Sequence, residues 1–274
     1  NFIEFCKDTG LQSSNATIRN ATIKLIGEVH KFIGPDIKGF LTDVKPALLG
    51  ALDAESMRKI LLRKTVKASE STLSMSAGGL DGLPREDISG KITPTFLNNL
   101  SSPDWKIRLE SIDLVNKILE EANKRIQPTG TTELFGALRG RLYDSNKNLV
   151  MATLVVVGGV ASAMGPMVEK SSKVYKEYYH VLKCLSDNKK HMRECTINTL
   201  DSWVAAVHLD KMVTTAIPRL VFEGQKDLFD WLTKQISGIS DSSKALHLLK
   251  PSTSALTVYR LLDFLASLLE HPCA

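Results

Sequence analysis

The chain has 274 residues, of which 43% are hydrophobic and only ten are proline. That apolar fraction is enough to build a core, and it excludes a globally disordered chain. The formal net charge of +5 favours an acidic protein surface as partner. It is too small for the dense basic stripe of a nucleic-acid binder, so we expect no nucleic acid as partner.

The sequence shows neither a membrane span nor an export signal. No uninterrupted apolar run reaches the roughly 18 residues of a membrane-spanning helix, and the first segment, NFIEFCKDTG, already carries charge. We therefore expect a cytoplasmic protein without membrane contacts. Cysteines at positions 6, 184, 195 and 273 have no CxxC spacing and no His/Cys pattern of the zinc type, which predicts reduced thiols and no metal.

A polar turn followed by an apolar helix occurs near the start of the chain and recurs along it. The four copies are SSNATIRNATIKLIGEV (13–29), SPDWKIRLESIDLVNKI (102–118), DSNKNLVMATLVVVGGV (144–160) and SDNKKHMRECTINTLDSWV (186–204). Their alignment places one residue of each copy in a shared slot: Arg19, Arg108, Met151 and Arg193. A β-branched residue follows four positions later: Ile23, Ile112, Val155 and Ile197. The last two steps between slots are 43 and 42 residues.

A second amphipathic segment precedes each of the later turns, as in ISGKITPTFLNNL, TELFGALRGRL and YHVLKCL. Two helices per unit and a period of about 40–47 residues are typical of HEAT and armadillo repeats. Since neither helix can bury its apolar stripe alone, the units must stack. We therefore predict an all-α protein, an α-solenoid of HEAT repeats with paired antiparallel helices and its turns along one edge. The β-branched run LVVVGGVA then belongs to a helix.

One segment interrupts the repeats and suggests a division of the chain. The stretch KTVKASESTLSMSAGGLDGLPRED is rich in Ser, Gly and Thr and lacks an apolar period, which predicts a linker over residues 56–87. Residues 1–55 are then the end of one solenoid and residues 88–250 most of a second. Residues 251–274, which include LTVYRLLDFLASLLEHPCA, are predicted as a divergent C-terminal helix.

These segments carry a specific family resemblance. The run ISGKITPTFLNNLSSPDWKIRLESIDLVNKILEEA, with the two later turn regions, resembles the fourth TOG domain of the multi-TOG microtubule polymerases, in their plant Microtubule Organization type. The stretch NATIRNATIKLIGEVHKFIGPDIKGFL resembles the end of the third TOG domain. The resemblance implies turns that bind αβ-tubulin, a location on cytoplasmic microtubules, no cofactor, and a monomeric fragment of a larger array.

The resemblance assigns the binding residues turn by turn. An exposed Trp in the first turn corresponds to Trp105, and the later turns fall at residues 144–147, 187–191 and 224–226. The predicted tubulin-binding residues are Trp105, Lys106, Asn146, Lys147, Lys189, Lys190, His191 and Lys226. The family would show a fifth turn and a closing helix near the C-terminus, and the sequence there shows neither.

Structural alternatives stand beside these assignments. Trp105 could belong to the core, and each lysine alone is an ordinary solvated charge. The repeated arginines predict ion pairs with a carboxylate of the same or the next repeat. Residues Asp104, Asn146 and Asp187 are most simply helix N-caps. The tryptophans at 203 and 231 lie among apolar residues and are predicted core.

Catalytic motifs are missing from the sequence: it has no GxGxxG, HExxH or GxSxG pattern, and its six histidines are scattered. We therefore expect a binding protein and no catalytic residues. Two other functions remain open. A general HEAT or armadillo adaptor would bind a protein or peptide along its concave face, and an architectural spacer would have unpatterned turns.

Overall fold

The structure is a computed structural model that describes residues 2–41, 43–66, 84–170, 177–207, 209, 212 and 225–239. Regular structure within these residues is helical. One isolated β-bridge joins Glu86 to Ile126. The prediction of an all-α protein is therefore confirmed.

Eleven α-helices are labelled in chain order within the described residues. They are α1 (Phe2–Phe5), α2 (Ala16–Ile33), α3 (Pro46–Val66), α4 (Pro94–Leu100), α5 (Trp105–Glu121), α6 (Thr131–Arg141), α7 (Lys147–Met164), α8 (Met167–Lys170), α9 (Tyr178–Lys183), α10 (Lys190–Val207) and α11 (Gln225–Ser237). A π-helix covers Cys6–Leu11, and short 3-10 segments cover Gly34–Phe40, Ser89–Lys91 and Cys184–Ser186.

The long helices that follow the polar turns pack on one another in chain order. Helix α5 packs on α7, and α7 packs on α10, while the shorter α4 and α6 pair with α5 and α7. Within this stack Trp203 is fully buried and its ring lies 5.8 Å from that of Phe135. Trp231 is 3% exposed and donates a hydrogen bond from Nε1 to Asp201 at 2.8 Å. Both tryptophans are core residues, as predicted.

Helix α7 is the most apolar element of the stack. By length and composition it is the one described helix that could cross a membrane, and 61% of its 18-residue window is buried inside the structure. It contacts α5, α6, α8 and α10. That burial is the pattern of a core helix, and the β-branched run VVVGGVA lies within it.

Both ends of the predicted linker need correction. Helix α3 continues to Val66 because the residues after position 55 are good helix formers, and Arg58 bonds to Glu55 at 2.8 Å one turn earlier. At the other end, Glu86 exchanges backbone hydrogen bonds of 2.9 Å with residues 125 and 127. The linker prediction thus applies only to residues 67–83, which lie outside the described residues, as do residues 240–274.

The N-terminal helices do not form a separate stack. Helix α2 packs along α11, and the rings of Phe5 and Phe229 lie 5.7 Å apart. The sequence predicts that residues 1–55 end one solenoid and that residues 88–250 form most of a second. In the structure the first unit instead lies against the last described helix of the second.

This contact makes the order of α11 depend on the N-terminal unit. Replacing Phe5 by Ala should remove the ring contact and cost about 3–5 kcal/mol, as is usual for large-to-small changes in a core. Backbone amides of residues 228–232 should then exchange faster with solvent in hydrogen-exchange mass spectrometry. Phe40, which is 42% exposed, provides the matched control, since Phe40→Ala should leave that exchange unchanged. Unchanged exchange in Phe5→Ala would contradict the packing.

Candidate functional site

Side chains of the first turn define where α5 begins. Ser102 Oγ accepts the backbone N–H of Asp104 at 3.2 Å, and Asp104 Oδ1 accepts that of Lys106 at 2.9 Å. Asp104 is therefore the N-cap of α5, as predicted. The hydrogen bonds leave Trp105 as the first helical residue, at the tip of the turn.

The second and third turns repeat this geometry. Asp144 Oδ1 accepts the N–H of Asn146, and Asn146 Oδ1 accepts that of Asn148, both at 3.0 Å. In the third turn, Asp187 Oδ1 accepts the N–H of Lys189 at 2.9 Å. Asn146 is an N-cap as predicted, whereas Asp187 precedes the cap position and orders the turn before α10.

Two arginines of the repeated slot fold back onto their own turns. Arg108 Nη1 donates to the carbonyl oxygens of Ser102 and Pro103, at 2.8 and 3.0 Å. Arg193 Nη1 donates to those of Asp187 and Asn188, both at 2.9 Å. Each guanidinium thereby satisfies carbonyl groups that a tight turn would leave unpaired.

The same arginines reach the next unit. Arg108 Nε lies 3.0 Å from Asp144 Oδ2, and Arg193 Nε lies 2.6 Å from Asp227 Oδ2. The predicted ion pair with the next repeat is confirmed at both. Because each pair joins neighbouring units through their turns, the turns lie along one edge. We call residues 102–106, 144–148, 187–191 and 225–227 the turn ridge.

The third copy of the repeat differs from its predicted register. Counted from the capping hydrogen bonds, Val150 and not Met151 occupies the position of Arg108. The fourth residue after it is Leu154, which is fully buried, whereas Val155 is 58% exposed. Helical register follows the residue at which the helix begins, and the uniformly apolar sequence of α7 gives no signal of a one-residue shift.

Without an arginine in its slot, the second unit uses a lysine to reach the third turn. Lys147 Nζ lies 2.7 Å from Asp187 Oδ2, whose side chain is only 9% exposed. The hydrogen bond from this ammonium, followed by that from the Lys189 N–H, holds the pKa of the Asp187 carboxyl below its ordinary value. The sequence predicts Lys147 as a tubulin contact. In the structure, its side chain also joins the second turn to the third.

Other predicted site residues point outward. Trp105 is 48% exposed, so the core alternative for this residue is wrong. Lys106 and Lys189 are exposed, and the side chains of Lys190 and His191 are 82% and 81% exposed. From the turn geometry, Trp105, Lys147 and Lys190 occupy the same position in successive turns.

The remaining two predicted residues are partly engaged within the fold. Asn146 is half-buried and uses its side-chain oxygen as the helix cap. Lys226 lies in the first turn of α11, where its ammonium is 2.6 Å from Asp230. Residue 224, the start of the predicted fourth turn, lies outside the described residues.

A groove of about 670 Å³ connects the third turn and the start of α11 to the N-terminal unit. Lys190 and Lys226 line it on the ridge side, and Asn15 and Thr17 line it on the other. Sequence reasoning placed residues 13–17 in a different solenoid and missed this. Their local signal was present, because SSNAT (13–17) matches SPDWK (102–106) in its capping residues.

Reactive groups are scarce along the ridge. Among the described residues no three His, Cys, Asp or Glu side chains gather in a metal-binding arrangement. Burial raises the pKa of Cys184 to about 12 and also raises that of Cys195. Thiols with raised pKa values are poor nucleophiles, so these two cysteines are not activated.

Known proteins are similar in sequence to this chain. Protein MOR1 of Arabidopsis thaliana is 65% identical over 265 residues, and Protein MOR1 of Oryza sativa subsp. japonica is 66% identical over 265 residues. Each match covers 93% of this chain and 13% of the relative. The chain belongs to the TOG-domain family, in its plant Microtubule Organization type. It spans about an eighth of the length of these relatives.

More distant proteins agree with this TOG assignment. Protein mini spindles of Drosophila melanogaster is 27% identical over 272 residues, covering 88% of this chain and 13% of that protein. A solved structure described as the structural basis of tubulin recruitment and assembly by microtubule polymerases with TOG domain arrays has a TM-score of 0.50. It shares 15% identity and covers 96% of this chain and 54% of that chain, which supports the fold. No family model matches the sequence.

The Lys147–Asp187 pair makes stability of the TOG chain depend on pH. Because the folded-state pKa of Asp187 is depressed, the pair stabilises the fold above the ordinary value of 3.8. That contribution is lost as pH falls through the lower folded-state pKa. The difference in unfolding free energy between wild type and Lys147→Met should therefore be constant near neutral pH and vanish in acid. Thermal melting between about pH 2 and 7 measures it.

The exposed Lys117 gives a control for this experiment. Lys117→Met removes the same charge, and it should show a much smaller change with pH, because Lys117 is only the smallest cause of the lowered pKa of Glu121. A difference for Lys147→Met that persists unchanged into acid would mean that the ion pair does not contribute.

Proposed function

We propose that this chain is an αβ-tubulin-binding module of a microtubule-associated protein that promotes microtubule polymerisation and organisation. The observation that carries the proposal is an exposed indole, Trp105, at one end of a ridge of ordered turns whose outward side chains are mainly basic. The MOR1 relatives and the neighbouring TOG-array structure support it. Its place would be the cytoplasm, on microtubules.

Trp105 is the proposed apolar anchor. The backbone of Trp105 is held at the first position of α5 by a capped turn, so only the side-chain torsions lose freedom when the indole is covered. Large aromatic side chains with these properties are enriched among the residues that dominate binding energy in protein interfaces. Neighbouring Lys106 adds a positive charge beside the indole.

The ridge lysines divide into two groups by their partners. Lys147 and Lys226 have side chains 49% exposed and are already bonded to Asp187 and Asp230, so they should contribute less to a partner. Lys190 is 82% exposed, and its pairing with Glu194 at 3.2 Å spans one turn of an exposed helix. Such surface pairs contribute little, which leaves Lys190 available to an acidic partner.

A binding role, with no reaction, fits the arrangement of the described residues best. The turns offer fixed exposed side chains along an edge, while the buried polar groups hold neighbouring units together. The alternative, an adaptor that binds a peptide along the concave face, would place its contacts on the inner helices. The variants below distinguish the two, because they alter only the ridge.

Trp105→Ala should weaken tubulin binding far more than it destabilises the fold. Loss of such an anchor costs on the order of 2 kcal/mol or more, roughly thirtyfold in affinity. Leu114→Ala is the matched control: it removes a 43% exposed apolar side chain from the same helix, away from the turn. Affinity and melting temperature of both variants provide the measurement. Equal tubulin affinity for the two would sink the proposal.

The double change Lys189→Glu, Lys190→Glu should act through long-range electrostatics. Association with acidic tubulin should slow at low ionic strength, and the effect should fade as salt rises, because exposed charges are screened over about 8–10 Å. Lys117→Glu, Lys124→Glu reverses two exposed charges on and just after α5; Lys124 pairs with Glu120 as Lys190 pairs with Glu194. Stopped-flow association rates should change little in this control. A rate loss independent of salt would contradict the electrostatic role.

A further inference from the structure

The stack of helices continues beyond α11. Helix α2 lies against α11, and the Phe5 and Phe229 rings are in contact across this interface. Position 16, where α2 begins, is therefore placed one unit beyond α11 along the stack. The sequence shows no fifth turn near its C-terminus. In the structure, a turn from the beginning of the chain lies in the position after α11.

This N-terminal turn, residues 13–17, is built like the first turn of the ridge. Ser13 Oγ accepts the N–H of Asn15 at 3.2 Å, and Asn15 Oδ1 accepts that of Thr17 at 2.9 Å. These match Ser102, Asp104 and Lys106 in spacing and order.

The arginine of the N-terminal unit repeats the match. Arg19 Nη1 donates to the carbonyl oxygens of Ser13 and Ser14, both at 2.7 Å. Arg108 makes the same pair of bonds to its own turn. Counting from these bonds places Ala16 at the position of Trp105, and Ala16 is exposed.

The groove of about 670 Å³ brings the N-terminal turn into line with the ridge. Acidic residues that line it are all paired: Asp187 with Lys147, Glu194 with Lys190, and Asp227 with Arg193. The N-terminal turn itself carries no charge. A new charge at position 16 would therefore meet only carboxylates that already have a partner among the residues that line the groove.

We propose that the N-terminal turn is a fifth contact of the tubulin-binding ridge, with Ala16 in the position that Trp105 holds in the first turn. The inference rests on the proposed function, since the partner is the same acidic protein surface. It adds that the binding edge is assembled from two separate segments of this chain, across the α2–α11 interface.

Single charges at position 16 test the proposal in the full chain. At low salt, Ala16→Lys should tighten binding to αβ-tubulin and Ala16→Glu should weaken it, each by about two- to fivefold, the range of exposed charge pairs. Both effects should fade at high salt, with melting temperatures near that of wild type.

Ala51→Lys and Ala51→Glu are the matched controls. Ala51 is an exposed residue of α3, and its neighbours Leu52 and Ser56 lie beside Ile26 and His30 of α2. At 1.5 Å per helical residue, that place is roughly 15 Å or more from Ala16 along the axis. Neither control should change tubulin affinity by the amounts seen at position 16.

The outcomes separate the two proposals. If position 16 behaves like position 51 while Trp105→Ala weakens binding, the fifth contact is wrong and the proposed function stands. If all of these variants bind like wild type, or if wild type does not bind tubulin, the proposed function fails and the fifth contact fails with it.

Discussion

The carboxylate of Asp144 lies between two guanidinium groups, with Arg108 Nε at 3.0 Å and Arg141 Nη1 at 2.9 Å, and its side chain is only 3% exposed. It also accepts the N–H of Asn146 and so fixes the turn before α7. One side chain thereby sets the shape of its own turn and its distance from the previous one. Removing one partner of a buried pair typically costs about 3–5 kcal/mol, because a charge is left unpaired. Spacing along the ridge depends on this arrangement and its repeats.

The side chains of the turns and of the helix starts fall into two groups. Arg108, Arg193 and Lys147 are used inside the solenoid, since each reaches a carboxylate of the next unit. Trp105 and Lys190 stand one residue after a cap position and face outward. Inward-paired and outward-facing side chains can occur in one short turn because the capping bonds fix its backbone. Each position in the turn then has a constant direction for its side chain. A lysine in a turn is therefore not by itself evidence of a contact with a partner.

Next to α11, the last described helix, lie helices from the start of the chain. A solenoid leaves an apolar face at its last unit, and a capping unit is needed to cover it. Here α2 covers α11, with Phe5 against Phe229. The same packing places the N-terminal turn beside Lys226 across the groove, so the stability of the last described helix and the position of that turn are coupled through one interface.

The sequence by itself determined the repeat period, the starts of α5 and α7, the buried Trp203 and Trp231, and an exposed Trp105, because periodicity and capping depend on neighbours a few residues apart. It misplaced Met151 and Val155 by one position, since an apolar run such as LVMATLVVV has no polar residue to mark its register. It gave no sign of the ion pair between Lys147 and Asp187, because a contact across 40 residues leaves no local pattern. Only the tertiary structure decided that α2 lies on α11. That contact joins distant parts of the chain through complementary surfaces, and periodicity carries no information about which surfaces meet.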